Sequence, residues 1–99
     1  MEAPLEAVEF LARSQNRVEV LRSVAAERRT RRDLAEATGA SQATLGRILE
    51  DFGDRSWVRR DGDAYVATAT GKLVADGLAD LLSILETEAK LRDVIAYLP

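Results

Sequence analysis

The stretch covering residues 30–52 constrains the fold more than any other, because it contains two helix-start signals separated by a glycine. Thr30 is placed to cap a helix Arg31–Thr38, with Asp33 at the third helical position as in a capping box. Gly39 follows where a left-handed residue is wanted, and Ser41 is placed to cap a second helix. The spacing predicts two short helices joined by a tight turn.

The same stretch fits the spacing of a helix-turn-helix. Counting from Arg31, Ala35 is fifth, Gly39 ninth, Leu45 fifteenth and Ile48 eighteenth. A small residue suits the helix crossing, a glycine suits the bend, and the two apolar residues lock the second helix onto the first. An ordinary helical hairpin remains the alternative.

The second helix is expected to run from Gln42 to about Phe52 and to end before Gly53. Projection at about 100° per residue places one apolar side toward the core, comprising Leu45, Ile48, Leu49 and Phe52. Gly46 in mid-helix costs about 1 kcal/mol relative to Ala. No packing reason for it is visible in the sequence, so close approach to a partner is a candidate explanation.

Ala43 and Arg47 fall on the opposite side of this helix, with Gln42 and Thr44 on its flanks near the N-terminal end, and these are residue types that read DNA. Gln42 can form a bidentate pair with adenine, and Arg47 can pair with guanine or hold a phosphate. Ala43 and the methyl group of Thr44 can pack on a thymine methyl. Ser41, as the cap, lies beside free backbone N–H groups that suit a phosphate. Plain solvent exposure is the alternative for each residue.

The net charge of −3 argues against a nucleic-acid binder until its distribution is considered. Residues 28–60 hold eight Arg against five acidic residues, whereas the segments on either side are net acidic. Screening limits distant charges to about 8–10 Å, so the local basic segment decides phosphate attraction. Thr30, Arg31 and Arg32 are therefore candidate contacts, although a run of charges is commonly a solvated loop.

The chain around this motif predicts further helices and a hairpin. Pro4 suits the first position of one helix, and Ser14 can cap another over residues 15–26. Two β-like runs, residues 56–60 and 64–68, flank an Asp-Gly-Asp turn. Trp57 and Tyr65 are expected to pack in the core or across the strands rather than to stack on bases.

This hairpin has the size and position of the wing in a winged helix. Arg59 and Arg60 point to opposite faces of a strand, so only one is expected to face DNA. Since the tip is acidic, backbone contact from the stem is favoured over insertion into the minor groove.

The last helix is expected to be capped by Thr70 and to run from Gly71 to about Leu98. Its apolar residues form more than one stripe, so part of the surface needs a further partner. We expect a homodimer whose interface includes Leu78, Leu81, Leu82 and Leu85. A C-terminal domain covering that surface is the alternative. The division expected is a DNA-binding domain over residues 1–69 and a dimerisation or linker helix over residues 70–99.

Composition excludes several other functions. The absence of Cys and His removes disulfides, thiolate metal sites, the commonest zinc ligand and the usual general base. No enzyme activity, metal or cofactor is expected. No apolar run reaches membrane-spanning length and the N-terminus is acidic, so a cytoplasmic protein is expected. The fold class predicted is mainly α with a small β-hairpin.

These motifs together resemble winged-helix transcriptional regulators of the MarR/ArsR type. The residues that carry the resemblance are 31–52, Trp57-Val58-Arg59-Arg60, Tyr65-Val66 and Thr70-Gly71. The segment Ser14-Gln15-Asn16-Arg17 and Gly71 are also similar to archaeal regulators in which the winged helix precedes a methanogenesis-regulator-type sensing domain.

The resemblance implies a dimer that binds double-stranded DNA through residues 41–44 and Arg47, with support from Arg59 or Arg60. An effector domain or ligand would lie outside this chain. Two departures, the acidic wing tip and Asp54-Arg55-Ser56 in place of a glycine-bearing turn, weigh against wing insertion. A winged helix used for protein docking in a transcription-related assembly is the second hypothesis.

Overall fold

The computed structural model describes residues 1–99 as five helices and a small antiparallel sheet. This confirms the predicted fold class. The elements in chain order are α1 (Pro4–Ala12), α2 (Gln15–Ala26), β1 (Arg29–Thr30), α3 (Arg31–Thr38), α4 (Gln42–Asp54), β2 (Val58–Asp61), β3 (Ala64–Ala67) and α5 (Ala69–Ile95).

The helix-turn-helix is formed by α3 and α4, and its predicted capping groups are confirmed. The backbone N–H of Asp33 donates to Thr30 Oγ1 (3.1 Å), and the Thr30 N–H donates to Asp33 Oδ2 (2.9 Å), which completes the capping box. Gly39 adopts a left-handed φ of 72° at the bend. The predicted end of the second helix was wrong, because α4 continues through Gly53 to Asp54.

The wing consists of β2 and β3, and a strand that the sequence did not indicate completes its sheet. The short β1 pairs antiparallel with β3, aligning Arg29 with Tyr65 and Thr30 with Ala64, so β3 is the central strand. The start of the helix-turn-helix is thereby joined to the wing by backbone hydrogen bonds. The run of arginines is therefore not a single loop: Arg29 lies in β1, and Arg31 and Arg32 open α3.

The core lies where α2, α3, α4 and the wing meet. All four residues predicted for the inner side of α4 are buried. Trp57 is also buried, and Tyr65 packs against the core. This confirms the prediction that both rings pack within the protein. Phe10, Phe52 and Trp57 form a cluster with ring centroids 5.8–6.3 Å apart.

The last helix starts earlier than predicted. Thr68, not Thr70, caps α5: the backbone N–H of Gly71 donates to Thr68 Oγ1 (3.0 Å), and the helix begins at Ala69. Its first part packs on the core through Ala75 and Leu78, whereas every residue of the segment 80–99 is exposed. We call this segment the arm. None of the five helices combines the length and apolarity of a membrane span.

Candidate nucleic-acid interface

The outer side of α4 is free of the protein body. Ser41, Gln42, Ala43 and Arg47 are exposed, and Thr44 is half-buried. Because the buried residues lie on the opposite side of the same helix, the α4 backbone is fixed while these side chains point to solvent. The residues that were predicted to contact DNA on α4 therefore share one accessible surface.

The N-terminal end of α4 presents several hydrogen-bond donors. Ser41 Oγ accepts from the Thr44 N–H (3.1 Å) and lies 3.0 Å from Thr44 Oγ1, to which it donates. The first intrahelical bond is made by the Leu45 N–H to the Ser41 carbonyl (2.9 Å). The N–H groups of Gln42 and Ala43 precede that bond and remain available, which suits a phosphate oxygen.

One flank of α4 carries a polar depression that the sequence reasoning missed. It encloses about 290 Å³ and brings Thr44 and Arg47 together with Ser14, Arg17 and Asp51. Arg17 donates through Nη1 to the Phe10 carbonyl (2.7 Å), which holds its guanidinium at the edge of this depression. The available signal was the Ser14 cap, since Arg17 is the residue whose N–H that cap accepts.

The eight arginines of residues 28–60 divide into two groups of four. Arg28 pairs with Asp61 and Asp63, Arg29 with Glu27, and Arg55 with Glu2, while Arg60 Nε donates to the Gly62 carbonyl. The other group takes part in no ion pair and no side-chain hydrogen bond, and all its members are exposed: Arg31, Arg32, Arg47 and Arg59. Every member of this unpaired group was predicted to contact DNA.

The two arginines of the wing stem, Arg59 and Arg60, differ in whether their side chains already have a partner in the protein. Arg60 is engaged with the Gly62 carbonyl (3.2 Å), and its guanidinium carbon lies 5.9 Å from the Tyr65 ring centroid. Arg59 on the same strand has no partner. If one wing arginine contacts DNA, the geometry favours Arg59. The tip is held by Arg28, whose Nη2 donates to the Asp61 carbonyl (2.9 Å) and to Asp63 Oδ1 (3.1 Å).

Thr30 is less available than the sequence suggested. Its hydroxyl oxygen accepts the Asp33 N–H in the capping box, so the hydroxyl hydrogen and one lone pair are left for a ligand. The bond from the Thr30 backbone N–H lowers the pKa of Asp33, since it stabilises the carboxylate, and the nearby Arg29 and Arg32 act in the same direction. The Thr30 side chain is thus mainly structural.

A family model described as the HVO_A0261 N-terminal domain matches residues 5–90. The chain belongs to this family. No curated protein matches it by sequence.

Two solved structures share the fold of this HVO_A0261-type domain. A MarR family protein of Mycobacterium tuberculosis, Rv2887, superposes with a TM-score of 0.72 at 16% identity, over 91% of this chain and 82% of that one. Ligand-free NadR superposes with a TM-score of 0.69 at 18% identity, over 89% of this chain and 79% of that one. The winged-helix fold predicted from the MarR-type resemblance is confirmed, and a methanogenesis-regulator-type partner domain stays a prediction.

The HVO_A0261-type domain also has an apolar groove on the side formed by α1, α2 and α5. It encloses about 560 Å³, and nine of its ten lining residues are hydrophobic. All four leucines predicted for a dimer interface line it. Leu78 is half-buried against the core, whereas Leu81, Leu82 and Leu85 remain 44%, 37% and 53% exposed.

Proposed function

We propose that this domain is a sequence-specific, double-stranded DNA-binding transcriptional regulator, or the DNA-binding part of one, with α4 in the major groove. The observation that carries the proposal is the group of unpaired arginines on α3, α4 and β2. An exposed guanidinium without a carboxylate partner is a donor set that fits phosphate or the guanine edge. The acidic total charge does not oppose this, because local charge governs the approach.

The roles within α4 follow from exposure. Arg47 and Gln42 are the base-reading candidates, with Ala43 and the Thr44 methyl available to thymine. Ser41 and the free N–H groups beside it suit a phosphate. Arg31, Arg32 and Arg59 are assigned to the backbone, where contacts fix the position of the helix but carry no sequence information.

The test is the affinity for a duplex obtained by selection from random sequences, measured by fluorescence anisotropy at several salt concentrations. Arg47→Ala should lose about 1–3 kcal/mol on the selected duplex if Arg47 reads a base. If binding to all sequences weakens equally and the salt slope falls by about one, Arg47 is a phosphate contact. Arg22→Ala is the matched control, because Arg22 is exposed on α2 and borders a depression against α5.

Failure of the wild-type domain to bind the duplex, or retention by heparin without salt dependence, would reject the proposal. It would favour the second hypothesis, a winged helix that docks proteins in a transcription-related assembly. The observation that favours this hypothesis is the arm, which exposes large apolar residues such as Ile84, Leu91 and Ile95.

We further propose that the domain acts as a homodimer through the groove and the arm. A helix with many exposed apolar residues commonly pairs with a two-fold mate. Because α5 packs on the core as far as Leu78, we propose that the dimerisation segment begins near residue 80 rather than at residue 70. The domain is expected to act in the cytoplasm.

Light scattering tests the dimer. The double variant Leu81→Glu and Leu85→Glu should shift a dimeric wild type to monomer, because two carboxylates would enter an apolar interface. Leu73→Glu is the control: Leu73 lies on the same helix, is 72% exposed and is not part of the groove. A monomeric wild type at high micromolar concentration would reject the dimer. It would favour the alternative that a further domain covers the groove.

A further inference from the structure

Gly46 lies in the middle of α4, where it leaves space for a side chain from α3. A Cβ atom added at Gly46 would lie 2.8 Å from Nη2 of Arg31 and 3.8 Å from its Cζ. The guanidinium of Arg31 therefore occupies the volume that any other residue at position 46 would fill. Gly53, in the same helix, has no atom within 4 Å of the corresponding point.

The guanidinium of Arg31 lies there without a counter-charge. Arg31 is the first residue of α3, at the positive end of the helix dipole, and Arg32 follows it. It is exposed and takes part in none of the ion pairs of the structure. A cation in such a place is incompletely compensated by the protein itself, which points to an external anion.

The place is adjacent to the surface assigned to DNA. In α4, Gly46 comes one turn after Gln42 and directly before Arg47. Projection at about 100° per residue puts Gly46 on one flank of the helix, and Thr44 and Asp51 on the other flank, where Arg17 lies. Arg31 and Arg17 thus border α4 on opposite flanks.

We propose that Gly46 is a positioning residue that seats the Arg31 guanidinium against α4, where Arg31 contacts a DNA phosphate beside the recognition helix. This rests on the DNA-binding function proposed above. Glycine is the poorest helix former apart from proline. Its presence in the recognition helix is then explained by a contact inside the protein that prepares the surface for DNA, rather than by direct approach of the DNA to the α4 backbone.

The fold should tolerate a methyl group at this position. The atoms that would be displaced are the end of a flexible, exposed side chain, so Arg31 can move while α4 stays in place. Alanine also favours the helix. Gly46→Ala should therefore have a Tm equal to or above that of the wild type, while the Arg31 side chain is displaced.

A double-mutant cycle on DNA binding tests the proposal, using Gly46→Ala, Arg31→Ala, the combination of both, and Gly53→Ala as the matched control. Gly46→Ala should weaken duplex binding roughly five-fold and reduce the salt slope by up to about one, as expected for a displaced phosphate contact. Arg31→Ala should have an effect at least as large. Adding Gly46→Ala to Arg31→Ala should change nothing further, and Gly53→Ala should bind as the wild type does.

Two results would overturn the proposal while leaving DNA binding intact: unchanged affinity for Gly46→Ala, or an equal loss on adding it to Arg31→Ala. Absence of binding by the wild type would reject the proposed function itself. The contact between Gly46 and the Arg31 side chain can also be tested without DNA. The nuclear Overhauser effect between the Gly46 Hα protons and the Arg31 side chain should be present in the wild type. Its absence there would also refute the proposal.

Discussion

The Phe10 ring joins α1 to Phe52 of α4, and its removal gives a quantitative test. Phe10 is half-buried, with its centroid 6.1 Å from that of Phe52 and 6.3 Å from that of Trp57. The guanidinium carbons of Arg17 and Arg55 lie 4.1 Å and 3.6 Å from the ring centroid. The ring thus has two aromatic neighbours and two cations.

Phe10→Leu keeps an apolar side chain of similar size and removes these interactions. Each aromatic pair contributes about 0.5–1.5 kcal/mol beyond its buried area. Each cation–π contact at an exposed site contributes about 0.5–1 kcal/mol. Since the ring is only half-buried, we expect a loss of about 2–3 kcal/mol in the free energy of unfolding, and a fall in Tm of roughly 8–24 °C.

Urea denaturation followed by circular dichroism measures this loss. Leu5→Ala is the control, because Leu5 lies on the same helix and is 80% exposed, so its effect should stay within about 0.5 kcal/mol. Arg55→Met removes one of the two cations, so Phe10→Leu should cost about 0.5–1 kcal/mol less in that background. A loss below about 0.5 kcal/mol for Phe10→Leu, or an identical loss in both backgrounds, would refute the reasoning.

Three further predictions concern the capping box of α3, the wing tip and the wing stem. The lowered pKa of Asp33 stabilises the fold above the ordinary carboxyl pKa, and this contribution is lost as pH falls through the lowered value, so Asp33→Asn should show a weaker loss of stability below about pH 4 in acid titration. Arg28→Ala should leave Tm nearly unchanged, because its two ion pairs are half exposed or more, yet speed amide hydrogen exchange at the wing tip. Arg59→Ala should weaken DNA binding more than Arg60→Ala, and the reverse order in anisotropy titrations would contradict the assignment of Arg59.

Most of the helical fold could be predicted because its signals are local. The Thr30–Asp33 capping box, the bend at Gly39 and the inner face of α4 each depend on residues within a few positions of one another. Their structures follow the sequence pattern closely. The wing hairpin was predicted for the same reason, since its turn lies between two short β-like runs.

The elements that were missed depend on distant partners. Two residues, Arg29 and Thr30, are too few to show a strand pattern in the sequence. They form β1 because their backbone pairs with that of β3. The start of α5 is similar: the sequence pointed to Thr70 as the cap, whereas Thr68 caps the helix and is fixed by its N–H bond to the Trp57 carbonyl (2.9 Å). The hydroxyl groups of both threonines donate to the Ser56 carbonyl. Neither choice could be made from the neighbouring residues alone.

The candidate site was predicted at the level of segments but not of partners. The sequence located the basic segment, yet it could not say which arginines are neutralised, because the ion partners of Arg28 and Arg55 lie 33–53 residues away. Arg17 was missed because it lies outside that segment and reaches the α4 surface only through packing of α2. The structure therefore leaves fewer arginines of the basic segment available to contact DNA, and those that remain were already among the predicted contacts.

The pairing of Arg28 also changes how the acidic wing tip bears on DNA binding. From the sequence, Asp61 and Asp63 argue that the tip would repel phosphate. In the structure both carboxylates are bound by Arg28, at 3.3 Å and 3.1 Å, so part of their charge is compensated locally. One guanidinium against two carboxylates leaves the tip less acidic than the sequence suggests, though still net negative. The same pairing removes Arg28 as a phosphate contact, so the attraction exerted by the wing should come from Arg59 on its stem.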